Sequence, residues 1–209
     1  MLPQSCPSLV ILEQTRRPES AIFGQLLNIG SVIMAVSIYV RYLQVKTVAT
    51  GSKLGSRVRL LNLTCLWLGL LIALGVSIVA NFQLSVAFVV HLIGTGFAIG
   101  FGVVFQVVQV VLCLQLYPHM GSKYVNKGRI LIAFASCIWL GRCIPSYFSG
   151  LNCAGHQDRS IKFEEFSVLI DTVAEWMIIL LTMAFILTFV YEFKRTTLQE
   201  IKFEISEIA

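Results

Sequence analysis

Four titratable side chains lie inside otherwise apolar stretches of the sequence: His91, Arg142, Asp171 and Glu175. Charged groups are costly inside a bilayer, so residues of this kind are candidates for function by default. Asp171 and Glu175 stand at i and i+4 and share one face of a helix, where Arg142 can pair with either carboxylate. A histidine near two carboxylates can titrate at mildly acidic pH. The four residues predict an intramembrane polar layer. The high cost of isolated charges favours a structural ion pair, and a proton- or ligand-sensing site is the alternative.

Signatures of enzyme chemistry do not occur in this sequence. It has no HExxH, GxSxG or phosphate-loop pattern, and no histidine boxes that would hold iron. The net charge is +5, but the basic residues are not interleaved with aromatic residues as a nucleic-acid surface would require. We therefore expect a non-enzymatic protein with no catalytic residues, no cofactor, no metal ion and no nucleic-acid partner.

Long apolar segments must position the polar layer. The stretch from Leu60 to Leu116 contains no Lys, Arg, Asp or Glu, and a bilayer core needs about 20 apolar residues per helical crossing. The chain is 56% hydrophobic and only 13% charged, with a mean hydropathy of +0.80, whereas soluble domains are about 25% charged. The sequence predicts an all-α transmembrane bundle over residues 21–191, with five spans at about 21–40, 60–80, 86–113, 130–148 and 168–191.

The charges between the spans predict the orientation of the bundle. Two links, Arg41–Arg59 and Tyr117–Arg129, carry basic residues and no acidic ones, and the tail 192–209 begins with Lys194 and Arg195. All three lie on one side under a five-span topology, and the positive-inside rule makes that side cytosolic. The lumen or exterior then receives the remaining polar segments: 1–20, Asn81–Ser85 and 149–167.

This topology places the titratable groups at similar depths. With a helical rise of ~1.5 Å per residue, His91 and Arg142 lie roughly 9 Å from the luminal ends of their spans. Asp171 and Glu175 lie about 5 and 11 Å from the luminal end of span five. A small proton-linked transporter or channel that uses this layer is the alternative function.

Span three contains four closely spaced glycines: Gly94, Gly96, Gly100 and Gly102. Small residues allow helix backbones to approach closely in lipid. We predict that these glycines pack against neighbouring spans, with homodimerisation as the alternative.

The polar residues between spans two and three predict a tight luminal turn at Asn81, Phe82 and Gln83. The two side-chain amides can satisfy freed backbone groups, and Phe82 is suited to the membrane interface.

A set of short motifs follows in order along the chain: Pro18-Glu19-Ser20, Tyr39-Val40-Arg41-Tyr42, Ile78-Val79-Ala80-Asn81-Phe82-Gln83, His91 with Gly94, Ala174-Glu175-Trp176, and Leu187-Thr188-Phe189. In this order and spacing the sequence resembles the damage-regulated autophagy modulator (DRAM) family of multi-span membrane proteins. The resemblance extends from about Pro18 to Ile205. Its more specific parts are the hairpin turn and the Ala-Glu-Trp step.

The resemblance implies a lysosomal or endolysosomal membrane protein that promotes autophagy and is linked to stress signalling and cell death. Such a protein would act through membrane lipids and protein partners in autophagy, and a homo-oligomer is compatible with this. The plasma membrane is the alternative location. Members of the family are described with six spans. This chain departs from that pattern, because Met1–Thr15 stands where the family's first span and its following luminal segment would be.

Overall fold

A computed structural model describes residues 19–84, 86–155 and 165–196, and these residues are helical almost throughout. The helices are α1 (Glu19–Gly51), α2 (Ser56–Asn81), α3 (Phe88–Thr95), α4 (Phe101–Leu116), α5 (Lys123–Gly155), α6 (Glu165–Leu187) and α7 (Val190–Phe193). A π-helical turn, Gly96–Gly100, joins α3 to α4.

Within these residues, five helical stretches are long and apolar enough to cross a membrane: Ser20–Gly51, Ser56–Asn81, Phe88–Leu116, Lys123–Pro145 and Ile170–Phe193. We refer to them as spans one to five. The predicted all-α fold with five spans is thereby confirmed. Most of the predicted amino-terminal segment, the middle of the 149–167 segment and the tail beyond residue 196 lie outside the described residues.

The two ends of the bundle differ in charge. We call the end with the turn between α2 and α3, residues 82–87, the hairpin end. The opposite end, which we call the basic end, carries the links 52–55 and 117–122 together with Lys194 and Arg195.

Span one extends well beyond the length that the sequence predicted. The sequence predicts a link that starts at Arg41, but α1 continues to Gly51. The reason is that the helical spacing of apolar residues continues past the charge: Ile38, Arg41 and Val45 follow at i, i+3 and i+7, and all three are buried. The guanidinium group of Arg41 therefore lies inside the bundle.

Two apolar clusters hold the spans together. α1 packs chiefly against α2, α4 packs against α2 and α5, and α5 packs against α6. The larger cluster joins spans one, two, three and five around Phe105, Phe185 and Phe189, whose rings meet edge to face. The smaller cluster consists of four buried residues from spans three, four and five: Val103, Cys143, Ala174 and Ile178.

The π-helical turn divides the glycine-rich part of span three into two differently oriented faces. A Cβ atom added at Gly94 would meet the Ile78 side chain at 2.6 Å, whereas one added at Gly102 would first meet Thr182 Oγ1 on span five at 3.7 Å. Gly96 lies against Tyr147, which follows span four on α5, and Gly100 has open space around it. Because a π-helical turn adds one residue, it rotates the following helix by about 100°. A face drawn from uniform α-helical spacing therefore does not continue through Gly96–Gly100.

Candidate functional site

The predicted polar layer at the hairpin end contains an ion pair between spans four and five. Arg142 Nη2 lies 2.9 Å from Asp171 Oδ1, and the two side chains are 38% and 13% exposed. Glu175 follows one turn after Asp171 on α6, close enough for the two carboxylates to interact electrostatically. The antiparallel packing of α5 on α6 brings these three groups together.

His91 is bonded to the hairpin turn and not to this ion pair. Its Nδ1 lies 2.7 Å from the backbone oxygen of Phe82, and the residue is buried. A carbonyl oxygen only accepts hydrogen bonds, so Nδ1 carries the proton in this contact. The structure thus brings Arg142, Asp171 and Glu175 together and gives His91 a separate contact at the same end. A role for any of these residues as a sensor stays a prediction.

The hairpin turn is fastened to span one by side-chain amides. Asn81 Nδ2 donates to Asn28 Oδ1 at 3.0 Å, and Asn28 Nδ2 donates to Asn81 Oδ1 at 3.2 Å. Ser77 Oγ also donates to Asn28 Oδ1, at 3.1 Å, and Gln83 Nε2 donates to Ser20 Oγ at 3.2 Å. Phe82 is exposed at the turn. An open cavity of about 380 Å³ lies between the turn and the start of α1.

At the basic end, sequence reasoning missed a buried charged cluster formed by Arg41, Arg129 and Glu192. Arg129 is fully buried, and it holds Glu192 with two parallel hydrogen bonds, Nη1 to Oε1 and Nη2 to Oε2, both 2.8 Å. Its Nε donates to Thr188 Oγ1 at 2.7 Å. Paired geometry of this kind is the strongest form of an arginine–carboxylate contact.

Arg41 joins the same carboxylate with a longer contact. Its Nη1 lies 3.9 Å from Glu192 Oε1, and the arginine is only 4% exposed. Phe189 contributes its ring to both cations, because its centroid lies 5.1 Å from the Arg41 guanidinium carbon and 5.2 Å from that of Arg129. The cluster therefore ties spans one, four and five together at the basic end.

Two features of the sequence indicate that these residues are not solvated. The apolar periodicity of α1 includes Arg41, as described above. On span five, Phe185, Phe189 and Glu192 follow at i, i+4 and i+7 and are all buried, so the carboxylate continues the buried face of that span. The positive-inside rule counts Arg41 and Arg129 as link residues, and this count does not consider whether a basic residue lies on a buried helix face.

Neutral polar side chains connect spans three, four and five nearer the middle of the bundle. Gln106 Nε2 donates to Thr182 Oγ1 at 3.0 Å, and Ser136 Oγ donates to Gln106 Oε1 at 2.9 Å. Gln109, one turn away, is buried, and its amide has no hydrogen-bond partner among the described residues. Among residues 19–84, 86–155 and 165–196, no group of three or more His, Cys, Asp or Glu side chains could hold a metal ion.

Residues 7–196 match the family described as the Frag1/DRAM/Sfk1/Cwh43P N-terminal domain. The chain is 34% identical to DNA damage-regulated autophagy modulator protein 2 of Bos taurus, over 88% of this chain and 71% of that protein. It is 29% identical to DNA damage-regulated autophagy modulator protein 1 of Mus musculus, over 88% of this chain and 76% of that protein.

A third relative is the modulator of macroautophagy TMEM150B of Xenopus tropicalis, 34% identical over 58% of this chain and 50% of that protein. No solved structure matches the chain. The match to the family over nearly the whole chain confirms the resemblance drawn from the motifs. This multi-span membrane protein belongs to the Frag1/DRAM/Sfk1/Cwh43P family.

Proposed function

We propose that this protein is a non-enzymatic modulator of autophagy that resides in lysosomal or endolysosomal membranes. The observation that carries the proposal is the 34% identity, over 88% of the chain, to a protein named as an autophagy modulator. Two further relatives with names of the same kind support it. The protein would act through membrane lipids and protein partners, with its basic end in the cytosol.

The arrangement of polar groups favours a modulator over a proton-linked transporter. The carboxylates of Asp171 and Glu175 lie at the hairpin end, and the next polar contact on span five is at Thr182. Along α6, Ile178 comes between Glu175 and Thr182, and it is buried together with Ala174 in the smaller apolar cluster. A transporter would need a polar path past these buried apolar side chains.

The test is expression of the tagged chain in cells, with turnover of an autophagosome marker measured with and without inhibition of lysosomal proteolysis. We expect higher turnover than in cells with empty vector, and co-localisation of the tag with a lysosomal marker. A comparison variant, Glu192→Gln, lacks the cluster carboxylate. We expect it to accumulate less and to raise turnover of the autophagosome marker less.

Two results would contradict this proposal. One is normal accumulation in lysosomal membranes with no change in marker turnover. The other is proton flux by the purified protein in liposomes that Glu175→Gln abolishes, which would favour the transporter instead.

A further inference from the structure

The charged cluster at the basic end has an excess of positive charge. Arg41 and Arg129 are both buried, and Glu192 is the acidic side chain that contacts them within the described residues. Arginine stays protonated in proteins, so the three side chains carry one net positive charge. A buried charge without a counterion is expensive, and this excess requires a compensating anion.

Arg41 is the member of the cluster whose N–H groups have weak hydrogen-bond acceptors or none. Its Nη1 donates to Met120 Sδ at 3.5 Å and its Nη2 to Cys113 Sγ at 3.4 Å, and sulfur is a weak acceptor. Its Nε has no partner among the described residues. Arg129, by contrast, holds both oxygens of Glu192. An incoming anion would therefore bind at Arg41.

The depth of Arg41 in the membrane indicates where such an anion would come from. Ser20 contacts Gln83 of the turn, which places the start of α1 at the hairpin-end surface. Along α1, Arg41 lies about 30 Å from Ser20. That distance equals the thickness of a bilayer's hydrocarbon core, so Arg41 lies at the opposite boundary, beside the phosphate groups of the lipids.

The flexible side chain of Met120, in a short link, contacts Arg41 at the basic end. Met120 belongs to the link 117–122, and the link turns at Gly121, whose φ is +88°. A thioether side chain is unbranched and readily changes its conformation, so a ligand oxygen can replace Met120 Sδ at Arg41. Exposed basic residues surround the same end of the bundle: Lys46, His119, Lys123 and Lys127.

We propose that Arg41, supported by Arg129, binds the phosphate group of an anionic phospholipid of the leaflet at the basic end. A guanidinium group presents a planar fork of donors that suits phosphate oxygens. One monoanionic phosphate together with Glu192 balances the two arginines. The lipid would thereby fasten span one to spans four and five.

The test is thermal unfolding of the full chain in nanodiscs, followed by the fluorescence of its three tryptophans. The nanodiscs contain phosphatidylcholine alone or phosphatidylcholine with added phosphatidic acid. We expect phosphatidic acid to raise the unfolding temperature, and Arg41→Gln to weaken its apparent affinity by about 10-fold or more, since hydrogen bonds to charged groups contribute about 1.5–3 kcal/mol.

Arg57→Gln is the matched control, because it removes the same charge at the same end from an exposed position. It should retain nearly all of the shift. Inorganic phosphate added to phosphatidylcholine nanodiscs separates the two sources of a phosphate group. If inorganic phosphate raises the unfolding temperature and Arg41→Gln removes this rise, the site binds phosphate from solution and not from a lipid, and the lipid proposal is overturned.

Glu192→Gln tests the charge balance directly and does not require Arg41→Gln to fold. It leaves two positive charges, so we expect it to unfold at a lower temperature in phosphatidylcholine and to gain more from phosphatidic acid than the unaltered chain. The proposal is overturned if phosphatidic acid produces no shift, or if Arg41→Gln and Arg57→Gln reduce the shift equally. It is also overturned if Glu192→Gln is destabilised and phosphatidic acid restores nothing.

Discussion

Glu192 is the side chain on which the buried polar structure of the basic end depends. It accepts two hydrogen bonds from Arg129 at 2.8 Å and lies 3.9 Å from Arg41, and all three residues are nine-tenths or more buried. Its removal would leave two guanidinium groups without a carboxylate. The Arg142–Asp171 pair at the hairpin end differs, because Arg142 keeps more than a third of its side chain exposed.

This contrast predicts different costs for two substitutions of the same type. Glu192→Gln should lower the free energy of unfolding by about 3–5 kcal/mol in neutral lipid, because it breaks a buried pair. Asp171→Asn should cost about 1 kcal/mol, because solvent screens its partner. Reversible unfolding in mixed micelles would measure both, and equal costs would contradict the assigned difference in burial.

Sequence reasoning could place Arg142 and Asp171 near one another because both positions follow from the ends of two consecutive spans. It could not place His91, because the carbonyl of Phe82 becomes a partner only through the path of the turn. It also could not place Arg41 and Arg129, since a rule that counts basic residues in links assigns them to water. The rule does not consider helix packing, and both arginines lie on helix faces that neighbouring helices cover.

At the scale of elements, the contact of α2 with span three depends on small residues on both helices. A Cβ atom added at Gly75 would lie 2.6 Å from the backbone nitrogen of Ala98 and 2.7 Å from the backbone oxygen of Gly94. The sequence indicated a glycine-rich span three but not which glycine carries the closest approach. That depends on the π-helical turn, which shifts the faces of α3 and α4 relative to each other.

Gly75→Ala and Gly100→Ala form a matched pair that tests this contact. The first should destabilise the protein by about 1–3 kcal/mol, because the added methyl group meets backbone atoms that cannot move aside. The second should change stability by less than about 1 kcal/mol, because nothing lies within 4 Å of the added atom. The unfolding midpoints of the two variants in the same detergent would check this, and a larger loss at Gly100 would refute the packing described.

The whole molecule is an apolar bundle with a different polar cluster at each end. Composition and the charge-free stretch Leu60–Leu116 were sufficient to predict five spans and their order, because a bilayer imposes length and hydropathy on any crossing helix. The positive-inside rule predicts which end faces the cytosol. The proposed autophagy function rests on the similarity to named relatives, since neither cluster identifies a partner by itself.

We propose that the five helices cross a lysosomal membrane with the basic end in the cytosol. Protease protection measures this most directly, with one epitope tag inserted in the link 52–55 and another in the turn 82–87. In cells whose plasma membrane alone is permeabilised, we predict that protease removes the first tag and spares the second. Loss of the second tag with protection of the first would contradict the account.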